Sequence, residues 1–258
     1  MKKNKGIRIF ACKILVMYNS QRIDFNKVRS TQEIFADYLV FMKSEGQSYC
    51  LLLSIFVLPF SLASAYFLTQ QPFDFLTIEE FSGSYNNMYI ALALSFVAKF
   101  FGVFVSCAYV QLYMSGSRVD LDSIKSYIVD NFVQAFLAAL FVSFVLFVGF
   151  CFFIIPGIIL LPAISMVVYD VLFARQRNFP SLSRCLNLCR TNWGQSFAVV
   201  LLCYAIIFLF SIVIGELLPA ENTFVNVVVS SLLTVLSETT MIPFILLYYS
   251  LANQNMKL

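Results

Sequence analysis

The positions of the lysines and arginines constrain this chain more than any other sequence feature. Six apolar segments are long enough to cross a membrane as helices, and sixteen of the seventeen basic residues fall in the connections on one side of them. The connections on the other side contain acids but no base. Because basic residues favour the cytoplasmic side of a membrane, we predict a multi-spanning protein with both termini in the cytoplasm.

The composition argues against a soluble enzyme. Of all residues 60% are apolar and 12% charged, whereas a soluble domain has about 25% charged residues. The chain contains no histidine, which removes the commonest general base and metal ligand. Phosphate-binding glycine loops and nucleophile elbows are also absent from the sequence. We therefore expect no catalytic activity, no cofactor, no metal and no nucleic-acid partner.

The predicted fold is all-α and polytopic. A basic cytoplasmic segment covers residues 1–29, a six-span domain covers 30–251, and a short cytoplasmic tail covers 252–258. A tight turn is predicted at Pro156-Gly157, between the third and fourth spans. The six predicted spans are residues 49–68, 87–113, 131–155, the stretch after this turn to 174, 195–215 and 224–251.

An amphipathic segment precedes each odd-numbered span, and we predict three interfacial helices on the cytoplasmic side. They cover residues 30–46, 119–132 and 180–190, and the first opens with the capping-box pattern Ser30-x-x-Glu33. The entries to the odd-numbered spans are also alike: Gly46-Gln47-Ser48-Tyr49, Gly194-Gln195-Ser196-Phe197 and residues 131–136 each pass from polar to aromatic side chains. This likeness suggests three repeats, each an interfacial helix followed by a helical hairpin. Alternatively, small, polar and aromatic residues at these positions reflect only the membrane boundary.

Two ionisable residues, Lys99 and Glu238, lie near the centres of predicted spans. A lone charge at that depth costs roughly 2.5–3.5 kcal/mol, so we expect the two to pair. Pro243 cannot donate to the carbonyl of Thr239, which predicts a kink and a free carbonyl. Either these residues form a buried ion pair with helix packing, or they bind a cation, a proton or a polar head group. The candidate intramembrane polar site comprises Lys99, Ser237, Glu238, Thr239, Thr240 and Pro243.

A second candidate site lies at the inner end of the fourth span, where an acid is followed by several arginines. The acid either forms a local ion pair or contributes to a contact with a partner protein or a phospholipid head group, since guanidinium groups bind phosphate well. The residues concerned are Asp170, Arg175, Arg177, Arg184 and Arg190.

Eight basic residues and one acid lie between Met1 and Arg29. Near an anionic inner leaflet each base contributes roughly 1 kcal/mol of attraction, so this segment is predicted to bind the leaflet. The alternative is a basic tail that only sets the orientation of the chain.

Several motifs together resemble a large bacterial group of six-span proteins related to the membrane domain of glycerophosphoryl diester phosphodiesterase. They are the Pro156-Gly157 turn, the acid at Asp170, the amphipathic stretch 181–190, Asn192-Trp193, Tyr248-Tyr249 and the opening EIFADYLVFMKSEGQSY. The likeness covers about residues 30–251. Since the soluble catalytic module of the namesake has no counterpart in this sequence, the resemblance implies a membrane domain without an enzyme attached.

These observations favour a non-catalytic multi-pass membrane protein that organises, anchors or senses lipid or protein partners. A small-solute or lipid transporter that uses Lys99 and Glu238 is the alternative, because midplane charges and proline-interrupted spans suit transport. An intramembrane enzyme is the least favoured class, since no histidine is available.

Overall fold

The computed structural model describes residues 23–69, 84–117, 119–152, 154–174, 178–217 and 223–255. Within these ranges the chain forms nine α helices and no strand, which confirms the all-α class. They are α1 (Thr31–Ser44), α2 (Gly46–Thr69), α3 (Ser84–Met114), α4 (Leu121–Phe152), α5 (Ile154–Ala174), α6 (Asn178–Thr191), α7 (Trp193–Leu217), α8 (Thr223–Glu238) and α9 (Met241–Asn255).

Five helical stretches in the described ranges are long and apolar enough to cross a membrane. Four belong to α2, α3, α4 and α7, and the fifth is α8 together with α9, Thr223–Asn255. The fourth predicted span corresponds to α5, an apolar helix of 21 residues.

Helix α1 forms where the first amphipathic segment predicts it. The Ser30 hydroxyl accepts a hydrogen bond from the Glu33 amide at 3.4 Å, and the Glu33 carboxylate accepts one from the Ser30 amide at 2.8 Å. This capping box satisfies two backbone donors at the helix start. The bond from the Ser30 amide, with a second from the Ser30 hydroxyl at 3.1 Å, lowers the pKa of the exposed Glu33 carboxyl. Ile34 and Phe41 lie buried on one face of α1, which joins the helix to the core.

The prediction of a separate second amphipathic helix over 119–132 is wrong. Helix α4 begins at Leu121 and continues for 32 residues without interruption. The Asp120 carboxylate accepts from the Ser123 amide at 2.9 Å and so caps this start. Since the sequence has no proline or glycine between residues 121 and 148, nothing ends the helix at the predicted boundary.

The predicted turn at Pro156-Gly157 is also displaced. Both residues lie inside α5, which already begins at Ile154. Proline is tolerated in the first turn of a helix, because the amide hydrogen it lacks would have had no acceptor there.

The most tightly packed part of the molecule is the end at which α1 and α6 lie. Helix α9 is buried along most of its length and contacts α1, α5 and α7. Edge-to-face pairs with ring centroids 5.2–6.0 Å apart join Phe41 to Tyr49, Tyr109 and Tyr113, and Tyr49 to Tyr109. Farther along α4 and α7, large apolar side chains are exposed, as on lipid-facing helices: Phe144, Phe147, Phe208 and Leu209.

Candidate functional site

The last predicted span is broken in two. Helix α8 ends at Glu238, residues Thr239 and Thr240 form a turn, and α9 begins at Met241. The Thr239 amide donates to the Leu236 carbonyl at 3.1 Å and the Thr240 amide to the Ser237 carbonyl at 3.2 Å. These tighter bonds replace the i to i−4 pattern of an α helix. The break lies just before Pro243, which lacks the amide hydrogen that would otherwise bond to the Thr239 carbonyl.

The backbone at the break is nevertheless satisfied, so the predicted free carbonyl at Thr239 is not found. It accepts a hydrogen bond from the Ile242 amide at 3.3 Å. The nearby hydroxyls also bond within the turn: Ser237, Thr239 and Thr240 each donate to the carbonyl three residues earlier at 2.7 Å. A ligand at the break would therefore meet hydroxyl oxygens as acceptors.

Glu238 is buried at the break without a partner for one carboxyl oxygen. Its side chain is 1% exposed, and its Oε2 has no hydrogen-bond partner among the described residues. The carboxyl lies against Gly102 of α3, where a β-carbon would fall within 2.7 Å of the Glu238 Cδ. The Tyr49 hydroxyl contacts the Glu238 backbone carbonyl at 3.4 Å and pairs with the Ser106 hydroxyl at 2.7 Å. A glycine thus makes room for the acid.

The predicted pairing of Lys99 with Glu238 is not formed. No salt bridge joins these two described residues, and Lys99 is exposed. Ala98 and Gly102, one turn apart, lie on the buried face of α3. One residue is about 100° of helix rotation, so Lys99 is turned away from the face that meets Glu238. The positive charge of the Lys99 ammonium group still attracts the Glu238 carboxyl electrostatically from a distance.

A partly open cavity of about 70 Å³ lies between α7 and α8, beside the break. Its lining combines hydroxyl groups with apolar side chains. Among the hydroxyl groups, that of Tyr38 lies 3.0 Å from that of Thr239. Neither Lys99 nor Glu238 belongs to this lining. We call the cavity the α7–α8 groove; its lining comprises Tyr38, Ile206, Ile207, Phe210, Ser211, Leu233, Leu236, Ser237, Thr239 and Thr240.

The second candidate site contains a buried carboxylate with a counter-charge. Asp170 is fully buried, accepts a hydrogen bond from the Tyr248 hydroxyl at 2.8 Å, and lies 3.5 Å from the Arg184 guanidinium. Its other oxygen, Oδ2, has no partner within the ranges that the structure describes. Arg190 lies exposed in the last turn of α6. Two further predicted members, Arg175 and Arg177, lie outside the described residues.

Two cysteines on α6 face the same interior. Cys185 and Cys189 are buried in the face of α6 that packs against α5. Burial raises the pKa of the Cys185 thiol, with a smaller contribution from Asp170, and burial raises the pKa of Cys189 to about 11. These thiols are therefore neutral at ordinary pH, which agrees with a packing role.

Arg29 is a buried residue that sequence reasoning assigned to a basic segment. Its side chain is 1% exposed and its Nε contacts the Asp37 carboxylate at 2.6 Å. The guanidinium also donates to three backbone carbonyls, those of Asp24, Phe25 and Lys27. Because four of its five N–H donors are used within the protein and the side chain is buried, this arginine is unavailable to a lipid leaflet.

The backbone of Arg29 ties the start of the described chain to its end. Its amide donates to the Ser250 hydroxyl at 2.8 Å, and its carbonyl accepts from the Gln195 side chain at 2.6 Å. Phe25, 1% exposed, packs edge-to-face on Tyr113 and Tyr249. Residues 23–29 therefore belong to the folded bundle. A lone phenylalanine among polar residues just before a helix cap is the signal that could have indicated this.

In the described part of the chain, no three Cys, Asp or Glu side chains come close enough together to hold a metal ion. No family model, no curated protein and no solved structure matches this chain. The function proposed for it therefore depends on its own geometry.

Proposed function

We propose that this chain is a non-catalytic multi-pass membrane protein that binds a membrane lipid in the α7–α8 groove, and so senses or organises lipid around it. The observation that carries this proposal is the mixed lining of the groove. Apolar residues such as Ile207 and Leu233 suit an acyl chain, whereas the Tyr38 and Thr239 hydroxyls suit an ester or a head group.

The position of the groove also favours a lipid over a water-soluble ligand. Tyr38 comes from the amphipathic helix α1, and such helices lie at the boundary between head groups and acyl chains. The flanking helix α7 exposes Phe208 and Leu209, so the surroundings of the groove are apolar. A volume of about 70 Å³ accommodates a few chain atoms, which suits one end of an amphiphile.

The arrangement in the membrane belongs to the same proposal. We infer six spans, three helical-hairpin repeats of which the second has its amphipathic segment as the start of α4, both termini on the cytoplasmic side, and a bacterial inner membrane as the location. The packing of α1 and α6 at one end of the bundle and the basic residues near them support this orientation. The resemblance to the six-span group around the phosphodiesterase membrane domain agrees with a role that needs no catalysis.

The basic segment at the start contributes less than its charge suggests. Arg29 is buried, which removes one of its eight bases from a leaflet contact, and the exposed Lys27 pairs with Glu33 at 3.3 Å. The remaining six precede residue 23 and lie outside the described residues. We keep the anionic leaflet, and a membrane or cytoplasmic protein, as proposed partners.

Transport is a second candidate, and the break between α8 and α9 favours it. Transporters bind their substrates at discontinuous helices near the middle of the membrane. A transport site that used Lys99 and Glu238 would need a cavity that reaches them, whereas the α7–α8 groove reaches only Ser237, Thr239 and Thr240 around the break. Lipid binding therefore accounts better than transport for the mixed apolar and hydroxyl lining of the groove.

The test is lipid retention by the purified full-length protein. The protein is reconstituted in nanodiscs of phosphatidylethanolamine and phosphatidylglycerol, extracted into mild detergent and analysed by native mass spectrometry. We expect one phospholipid to stay bound to the wild type and to Leu232→Trp, and to be lost from Leu233→Trp. Leu233 lines the groove, while its neighbour Leu232 is exposed outside it. Equal retention by all three proteins would contradict the proposal.

A further inference from the structure

The two fully buried carboxyl groups of the described chain differ in one respect. Asp170 has an arginine 3.5 Å away and a hydrogen bond from Tyr248. Glu238 has neither, and its Oε2 has no hydrogen-bond partner among the described residues. Both side chains are at most 1% exposed. The site around Asp170 can therefore hold an ionised acid, whereas the site around Glu238 favours a protonated one.

An ionised carboxyl at Glu238 would be costly. Transfer of a charged group out of water requires a partner, and a buried acid without one takes up a proton instead. The backbone of α3 at Gly102 closes the space around the carboxyl, and a β-carbon there would already be too close. A hydrating water layer does not fit at that contact. The neutral acid is the form that this packing accommodates.

The polar groups around Glu238 do not supply the missing charge. From α2, the Tyr49 hydroxyl reaches the Glu238 backbone carbonyl and Ser106. From α5, the Tyr169 hydroxyl donates to the Met241 sulfur at 3.1 Å. Tyr204 on α7 lies within electrostatic range of the acid, and Lys99 on α3 forms no salt bridge with it. The Tyr38 hydroxyl, from α1, lies beside Thr239. Lys99 alone among these groups carries a positive charge.

We propose that Glu238 is an intramembrane proton-binding site. In the packed state the carboxyl carries its proton. Release breaks the O–H bond, passes the proton to water and leaves a carboxylate that must be compensated by Lys99 or by separation of α3 from α8 at Gly102. Binding and release of one proton would thus be linked to how closely α3 and α8 pack at Gly102. This inference does not depend on a lipid in the α7–α8 groove.

Infrared spectroscopy of the full-length protein in bilayers of ether-linked lipids, which have no ester carbonyl, tests it directly. A protonated carboxylic acid gives a C=O stretching band that a carboxylate lacks. At neutral pH we expect this band in the wild type, in Asp170→Asn and in Lys99→Met, and we expect its loss in Glu238→Gln. Its absence from the wild type, or its survival in Glu238→Gln, would overturn the proposal. A band that arises only in Lys99→Met would show that Lys99 keeps the acid ionised.

Isotope labelling assigns the band to a glutamate or an aspartate side chain without any substitution. Wild-type protein grown with glutamate carrying ¹³C in its side-chain carboxyl should show the band at lower frequency. Protein labelled in the aspartate carboxyl should not. The other described glutamates, Glu33 and Glu45, are not fully buried, and each interacts with a neighbouring polar group. A band shifted by the aspartate label would assign the proton to another residue and refute the proposal for Glu238.

Discussion

The backbone of Gly102 lies directly against the carboxyl group of Glu238, with no room for a side chain between them. A β-carbon at position 102 would fall 2.6 Å from the Glu238 Cγ and closer still to its Oε2. Helices α3 and α8 meet at this point because one residue has no side chain and the other has a long one. The contact fixes the depth at which the acid lies.

Gly102→Ala should therefore destabilise the protein by about 1–3 kcal/mol, the usual loss when a methyl group is forced into a packed core. The measurement is the unfolding midpoint in mixed micelles, followed by circular dichroism. Gly194→Ala is the matched control, because nothing lies within 4 Å of a β-carbon at that helical position. Gly102→Ala combined with Glu238→Ala should recover part of the loss. Equal midpoints for the two glycine variants would argue against the close contact.

Arg29→Ala should release the arm formed by residues 23–29. We expect a loss of about 2–4 kcal/mol, since hydrogen bonds to a charged group contribute about 1.5–3 kcal/mol each. Trypsin cleavage after Lys27 should become fast in the folded variant. Lys27→Ala removes an ion pair whose side chains are both about half exposed, so it should cost no more than about 1 kcal/mol. An arm that stays resistant in Arg29→Ala would contradict the anchoring role.

The Asp170–Arg184 pair should show coupling in a double-mutant cycle. Arg184→Gln leaves a buried carboxylate without its counter-charge, and we expect a loss of about 1–3 kcal/mol, moderated because Arg184 is 41% exposed. Asp170→Asn keeps an acceptor for Tyr248 and should cost less. In the background of Asp170→Asn, Arg184→Gln should add little. Strictly additive losses would mean that the two side chains act independently.

The thiol of Cys189 should resist alkylation until the pH is high. Because burial raises its pKa to about 11, little thiolate exists at neutral pH, and the reaction rate should increase as the pH rises toward that value. The matched control is Asn187→Cys in a Cys189→Ala background, since residue 187 is exposed on the same helix. Mass spectrometry after maleimide treatment should show the control thiol modified many-fold faster. Equal rates would indicate that the α5–α6 interface opens readily.

The same thiol gives a pH dependence of stability whose sign follows from the raised pKa. In the unfolded chain Cys189 has an ordinary value near 9.0, so it loses its proton before the folded protein does. Its contribution to stability is therefore complete below about pH 9 and declines as the pH rises toward 11. Cys189→Ala should show a smaller decline of the unfolding midpoint over that interval than the wild type. Parallel declines would contradict the linkage.

The sequence predicts local features of this fold well. The capping box at Ser30 and Glu33 forms as expected, because it depends on residues three apart. The amphipathic face of α1 follows from periodicity, and Pro243 marks the break before α9. Asp170 and Arg184 also meet.

Contacts between helices were harder to predict, and Lys99 shows why. The spans are apolar on all sides, so their periodicity does not indicate which face is buried. The rotation of α3 turns Ala98 and Gly102 inward and leaves Lys99 outside, which a sequence without alignment does not reveal. The second amphipathic segment merges into α4 for a related reason. Its residues favour a helix, and so do those of the span that follows, so the helix continues across the predicted membrane boundary.

The hydrogen bond from the Arg29 amide to the Ser250 hydroxyl joins residues 221 positions apart. While the chain is being synthesised, the segment around Phe25 is made early but must wait for nearly all the rest before its partners exist. Ribosome-bound or truncated chains that stop before α9 should therefore present this segment unprotected, open to proteases and chaperones. This end of the bundle therefore closes only after α9 has been synthesised.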